Sequence, residues 1–316
     1  MSEKNTRWMP WIGIGTMLLA VSLVGCDAPE EREAEVADAV GVGEQAEQEG
    51  LVRRYSTLAA GINNCGIYRY DHQEGTFASC GSRVREDNQE VEFSYVDAWN
   101  VTSCGLRADN GQLHCWGMHV DEEDWTTSAD GDFDVAFESI TLGDRSACGL
   151  DADGQIHCFW FTDHFDGRPD VATPPEGRFT RLAGGQTNFC GIDEGGSIHC
   201  WGDDRLEMSD PPAGSFVDLS LGQYGGCAVA ADDGSLACWG REQGDGGMGE
   251  PPEGAFQAVA YNSTLACALD VDGRAHCWGS SDEGLNPPDV ELSAVSSNRS
   301  GQGAGIEAGS GLLVTW

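Results

Sequence analysis

Twelve cysteines between residues 65 and 277 fall into six pairs: 65/80, 104/115, 148/158, 190/200, 227/238 and 267/277. Their first members recur at intervals of 39, 44, 42, 37 and 40 residues. Self-similarity at such a period means that each repeat is one supersecondary unit, too small to bury a core alone, and that several copies stack. A further 37 residues on, Ala304 and Val314 stand where a seventh pair is expected, with both cysteines missing together. Joint loss is the behaviour of partners within one repeat, since either cysteine alone would leave a free thiol.

The repeats share a quotable core. Cys148-Gly-Leu-Asp-Ala-Asp-Gly-Gln-Ile-His-Cys158 matches Cys190-Gly-Ile-Asp-Glu-Gly-Gly-Ser-Ile-His-Cys200 and Cys267-Ala-Leu-Asp-Val-Asp-Gly-Arg-Ala-His-Cys277. Short β-rich segments around Asp-Gly turns are hairpins. Where the pair is spaced by ten, the loop Ala152-Asp153-Gly154, closed by a left-handed glycine, sets Cys148 opposite Cys158. Where it is spaced by eleven, the added residue lies inside the turn, in Ala108–Gly111 and Ala231–Gly234. Opposed strand residues have Cα atoms roughly 4.5–5.5 Å apart, within reach of a disulfide. Six local bridges are therefore expected: Cys65–Cys80, Cys104–Cys115, Cys148–Cys158, Cys190–Cys200, Cys227–Cys238 and Cys267–Cys277. A metal reading is disfavoured. No Cys-x-x-Cys occurs, and His114, His157, His199 and His276 each precede a cysteine, so on a strand they point to the other face.

All-β patterning in seven copies predicts a seven-bladed β-propeller over residues 51–316. The second cysteine is usually followed by Trp-Gly, as in Trp201-Gly202. This pattern, Cys-x-Leu-x-x-Asp-Gly-x-x-x-Cys-Trp-Gly, resembles the regulator-of-chromosome-condensation repeat in the cysteine-paired form of exported bacterial proteins. The resemblance implies a propeller whose loop face commonly binds proteins. The namesake's nuclear roles do not carry over, because fold does not give function. With 17 Lys+Arg against 53 Asp+Glu, a formal charge of −36 repels phosphate backbones and disfavours nucleic acid.

The N-terminus has the layout of an export signal. Lys4 and Arg7 precede the apolar run Trp11–Val24, whose 14 residues span about 21 Å as a helix, short of the roughly 30 Å hydrocarbon core. The run ends in Leu23-Val24-Gly25-Cys26, which resembles the lipobox of bacterial lipoproteins. That resemblance implies removal of residues 1–25 and a lipid on Cys26, and it places the chain in the bacterial cell envelope. Residues 26–50 carry nine acids against Arg32 alone and read as an acidic, disordered tether. Thirteen cysteines suit an oxidising compartment.

The loops before each first cysteine vary in chemistry while the strands around them do not. They place Asn63, Asn100, Asp144, Arg145, Gln186, Asn188, Gln223, Tyr224, Asn262 and Arg299 on one end of the propeller as a polar rim, with Tyr224 and Arg145 the expected anchors. The pairs His114/Trp116, His199/Trp201 and His276/Trp278 share a strand face and are expected to pack between blades. The acidic insertion 119–138 contains Asp130-Gly-Asp132-Phe-Asp134, which imitates the start of a calcium loop. Val135 and Thr141 stand where that loop needs Gly and Glu, so a solvated loop is expected. No nucleophile elbow, phosphate loop or zinc-protease motif occurs. The expectation is a monomeric, non-enzymatic, lipid-anchored propeller with no metal or cofactor. Its rim binds an envelope or extracellular protein. The alternative is a propeller that binds or processes envelope glycan, disfavoured because most tryptophans are committed to the packing motif.

Overall fold

The structure, a computed structural model, describes residues 53–59, 65–71, 76–80, 91–99, 102–117, 135–161, 173–202, 210–240, 249–280 and 284–316. The expected signal segment, Cys26, the acidic tether, Asn63, Asn100 and residues 119–134 of the insertion lie outside these residues. The described residues contain strands and turns and no helix.

Twenty-one strands form seven antiparallel three-stranded sheets, each contiguous in sequence. Blade one holds β1 (Arg53–Ala59), β2 (Cys65–Tyr70) and β3 (Phe77–Cys80); blade two holds β4 (Phe93–Trp99), β5 (Thr102–Arg107) and β6 (Leu113–Gly117). Blade three holds β7 (Phe137–Leu142), β8 (Ser146–Asp151) and β9 (Ile156–Trp160). Blade four holds β10 (Phe179–Gly184), β11 (Asn188–Asp193) and β12 (Ile198–Gly202), and blade five β13 (Phe216–Leu221), β14 (Gly225–Ala230) and β15 (Leu236–Gly240). Blade six holds β16 (Phe256–Tyr261), β17 (Leu265–Asp270) and β18 (Ala275–Gly279). Blade seven holds β19 (Leu292–Ser297), β20 (Gly303–Glu307) and β21 (Leu313–Thr315). First strands adjoin one another in the order β1, β4, β7, β10, β13, β16, β19, and β19 adjoins β1 again. The seven-bladed propeller is therefore a closed ring with its first strands innermost.

One local device repeats between blades. The turn glycines Gly111, Gly154, Gly196, Gly234, Gly273 and Gly311 have φ between 68° and 86°, the left-handed region where a Cβ is strained. Each glycine carbonyl also accepts an N–H from the first strand of the next blade, as in Phe179 to Gly154 at 2.9 Å and Phe216 to Gly196 at 2.8 Å. The ring closes by the same bond: Tyr55 N–H donates to Gly311 at 2.7 Å, and the Arg54 guanidinium adds a bond to Ser310 O at 2.7 Å. No strand exchange is used at the seam, because blade seven is complete within β19–β21.

The first strand of every blade carries a bulge, one residue after its opening in blades two to seven and at Ser56 in blade one. In blades two, three and four the opening phenylalanine lies over a glycine of the second strand: a Cβ on Gly149 would come within 2.4 Å of the Phe137 ring. Cysteines oppose each other as expected, in Cys190↔Cys200 and, with the longer turn, Cys227↔Cys238. Five bridges, Cys104–Cys115, Cys148–Cys158, Cys190–Cys200, Cys227–Cys238 and Cys267–Cys277, have Cα separations of 4.0–4.1 Å. Register also sets Cys65 opposite Cys80; the side chain of Cys80, and with it that expected bridge, lies outside the described set.

First cysteines of five blades pack against the blade that follows. Cys148 shares a core with Trp201, Cys190 with Trp239, Cys227 with Trp278, Cys65 with Trp116, and Cys104 with Phe159, which stands at the tryptophan position of blade three. Disulfide and following aromatic thus share one core between blades, and in sequence the two irregular repeats are neighbours around the ring. Blade seven lacks the cysteines, and the blade that follows it around the ring is blade one, whose Cys80 precedes Gly81 where the motif has tryptophan. The expected seventh position needs one correction. Ala304 faces Thr315, not Val314, because blade seven has the longer turn. Trp316 then occupies the motif tryptophan position, its indole N–H donating to Gly284 O at 3.0 Å.

Candidate functional site

The rim is built from hairpins between first and second strands. Gly143, Gly185, Gly222 and Asn262 each donate an N–H three residues ahead, to the carbonyls of Ser146, Asn188, Gly225 and Leu265, at 2.7–3.0 Å. Only two residues stand at each apex: Asp144-Arg145, Gln186-Thr187, Gln223-Tyr224 and Ser263-Thr264. The loop of blade seven is wider, with Asn298 Oδ1 accepting the amides of Ser300 and Gln302 at 3.0 Å each.

This geometry sorts the expected rim residues. The Arg145 and Asp144 side chains keep 40% and 30% of their surface exposed and stand 3.9 Å apart. Gln186, Gln223, Tyr224 and Arg299 are half-buried. Asn188 and Asn262 are corrections: they belong to the residues that close the hairpins, so they turn inward with 2% and 4% exposure. Asn262 serves the scaffold. Its Nδ2 donates to Ser297 O of blade seven at 3.1 Å, and its Oδ1 accepts Ser263 N–H at 2.7 Å.

Neighbouring loops are tied to one another. Asp144 N–H donates to Gln186 O at 2.8 Å between blades three and four. Arg299 Nη2 donates to Gln223 Oε1 at 2.8 Å, joining blades seven and five past blade six. The third strands end at this same rim, where Phe161 N–H meets Arg145 O and Ser280 N–H meets Thr264 O. The rim is a preorganised surface whose apex chemistry differs from blade to blade.

The expected histidine–tryptophan packing splits in two. Tryptophan packs between blades, but the histidine acts within its own blade. His199 Nε2 lies 2.8 Å from Asp193 Oδ2, and its ring meets Phe179 edge-on at 5.8 Å. His157 and His276 repeat the contact with Asp151 and Asp270, each at 2.8 Å. The His199 bond, helped by the amides of Ser197 and Gly195, holds the Asp193 carboxyl below its usual range. These aspartates lie at the end opposite the rim, with the ion pairs Arg54–Asp71, Arg107–Asp109, Arg178–Glu194 and Arg274–Asp289. No group of three or more potential metal ligands occurs among the described residues.

A second feature, absent from the sequence-based expectations, lies along the axis. A cavity of about 240 Å³ is lined by the first strands, with Tyr95, Asp97, Arg181 and Asp218 on its wall. Asp97 Oδ2 accepts Leu142 N–H of the next blade at 2.8 Å, and Asp218 Oδ2 accepts Val259 N–H at 3.0 Å. Burial pushes the Asp97 carboxyl up to about 7, against the lowering effect of the Leu142 and Ala98 amides and the Thr141 hydroxyl. Burial also raises the Asp218 carboxyl, opposed chiefly by Arg181. A sequence signal exists for this group. Past the bulge positions, the seven first strands carry charge only at Asp97, Arg181 and Asp218, among Ser, Thr and Ala at the equivalent places.

No protein-family model matches the chain. Among solved structures, the chain is similar to the CRINKLY WD40 ectodomain of the Arabidopsis thaliana receptor kinase ACR4, at 18% identity and TM-score 0.64, covering 84% of this chain and 98% of that one. The ectodomain of the Physcomitrella patens receptor kinase CR4 matches at 18% identity and TM-score 0.64, over 84% and 74% of the two chains. Yeast RCC1 (Prp20), solved with Kap60, matches at 11% identity and TM-score 0.55, over 76% and 72%. At these identities the likeness establishes the propeller fold alone.

Proposed function

We propose that this chain is a lipid-anchored protein of the bacterial cell envelope whose propeller binds an envelope or extracellular protein through its rim, as a monomer and without catalysis. The carrying observation is the constancy of the rim turns in blades three to six against the variation of their apex residues. A fixed backbone holding Asp-Arg, Gln-Thr, Gln-Tyr and Ser-Thr in succession is a recognition surface on a rigid scaffold. Arg145 and Tyr224 are its anchors, since arginine and tyrosine dominate binding hot spots. Five disulfides suit an oxidising, exported location, and the lipobox-like Leu23-Val24-Gly25-Cys26 supports a lipid on Cys26. The structure of yeast RCC1 bound to Kap60 gives a precedent for a propeller with a protein partner.

The test is affinity capture from a bacterial envelope extract with the full chain in detergent, beside the variant Arg145→Ala/Gln186→Ala/Tyr224→Ala. A protein retained by the first and lost from the second, at equal melting temperature, supports the reading. Identical retention by both baits refutes it.

A further inference from the structure

The wall of the axial cavity is mixed. Tyr95 and Asp97 of β4, Arg181 of β10 and Asp218 of β13 bring its polar and charged groups, while β16 and β19 bring Val259 and Val295 beside the polar Asn262 and Ser296. The four side chains Tyr95, Asp97, Arg181 and Asp218 line the same cavity, with Arg181 and Asp218 in contact across adjacent blades.

These charges do not satisfy one another. Arg181 reaches Asp218 only at 3.5 Å and leaves 57% of its side chain exposed. Asp97 is half-buried on the channel wall and accepts hydrogen bonds from the Leu142 and Ala98 amides and Thr141, with no ion pair to it among the described residues. A carboxylate so placed is costly until a cation joins it. An arginine held by a single loose contact to Asp218 keeps donors for a planar carboxylate, which it binds bidentately. The volume, about 240 Å³, lies below the roughly 300–1,000 Å³ of sites for drug-sized ligands, so the occupant is smaller.

We propose that the channel binds a small zwitterion of the α-amino-acid type with an apolar side chain. Its ammonium meets Asp97 beside the Tyr95 ring, whose face adds a cation–π attraction. Its carboxylate meets Arg181, and its side chain lies along Val259 and Val295. A simple amine leaves Arg181 with only its loose contact to Asp218. A simple carboxylic acid leaves Asp97 without a cation, and its own charge is repelled by two carboxylates. Each half-ligand therefore binds worse than the whole. The proposal stands independently of the rim, which uses other residues at the end of the molecule.

Titration calorimetry of the full chain with L-leucine, 3-methylbutylamine and 4-methylpentanoate tests it. The expected result is binding of leucine, with each single-charge analogue weaker by about tenfold or more, the worth of one charged contact of about 1.4 kcal/mol. Arg181→Gln and Asp97→Asn should each weaken leucine by a similar factor while the melting temperature stays that of a folded propeller. Arg181→Gln changes an exposed side chain, so it reports on binding even if Asp97→Asn were to disturb the Leu142 contact. Three results overturn the proposal: no leucine binding at millimolar concentration, an analogue that binds as well as leucine, or full affinity in the Arg181→Gln variant.

Discussion

Replacing both Cys190 and Cys200 by alanine removes one staple while keeping the hairpin sequence otherwise intact. The bridge spans a sequence separation of 10, and for a loop this short the chain-entropy model gives about 2.8 kcal/mol at 25 °C. A second loss comes from packing. Cys190 is fully buried against Phe216, Leu219 and Trp239 of the next blade, and deleting one buried sulfur is comparable to deleting a methylene, about 0.8 kcal/mol. Together these predict about 3.5 kcal/mol. At roughly 2–4 °C per kcal/mol for a domain of this size, the melting temperature should fall by about 10 °C. Calorimetry of the oxidised full chain, wild type against double variant, measures it directly. Because the blades are separate units, removing Cys104–Cys115 as well should add a comparable decrement. A shift of under about 2 °C would refute the reasoning, since neither the loop constraint nor the inter-blade contact would then be contributing.

Three other outcomes follow from named contacts. Trp201→Ala empties the space over the Cys148–Cys158 bridge and should cost about 3–5 kcal/mol in urea denaturation. Asn262→Ala breaks the bond to Ser297 O and frees Ser263 N–H; it should cost about 1–2 kcal/mol yet leave partner capture unchanged, unlike substitution of Arg145. Asp97→Asn should change the pH dependence of stability. A carboxyl raised to about 7 in the fold holds its proton more tightly than the unfolded chain does, so its presence costs stability progressively as pH rises from about 4 to about 7. The variant should therefore gain on the wild type across that window in thermal melts. Parallel curves would mean that Asp97 titrates normally.

Much of the scaffold was legible because its rules are local. Cysteine spacing, Asp-Gly turns and the Cys-Trp-Gly run each belong to one hairpin, so blade number and pairing followed without knowledge of neighbours. What depended on the next blade was harder. Blade seven, which lacks the cysteines, is followed around the ring by blade one, which lacks the tryptophan at Gly81, 223 residues from Ala304 in sequence. At the rim the error was one of width. Asn188 and Asn262 look like loop residues because asparagine favours turns, but tight two-residue apices place them in the closing pairs. For histidine, strand alternation gives a face and not a partner: Asp193 reaches back to His199 across the turn. The channel was invisible for a different reason. Its residues come from different repeats, so the period that reveals the fold averages Tyr95, Asp97, Arg181 and Asp218 away.

The most direct test of the central claim, recognition through the rim, is amide hydrogen exchange of the full chain with and without the captured partner. The account predicts slowed exchange at residues 143–145, 185–187, 222–224 and 263–264, with the hairpin tips at 151–155, 193–197 and 270–274 unchanged. Protection at those tips, with the rim unaltered, would contradict it and move recognition to the acidic end.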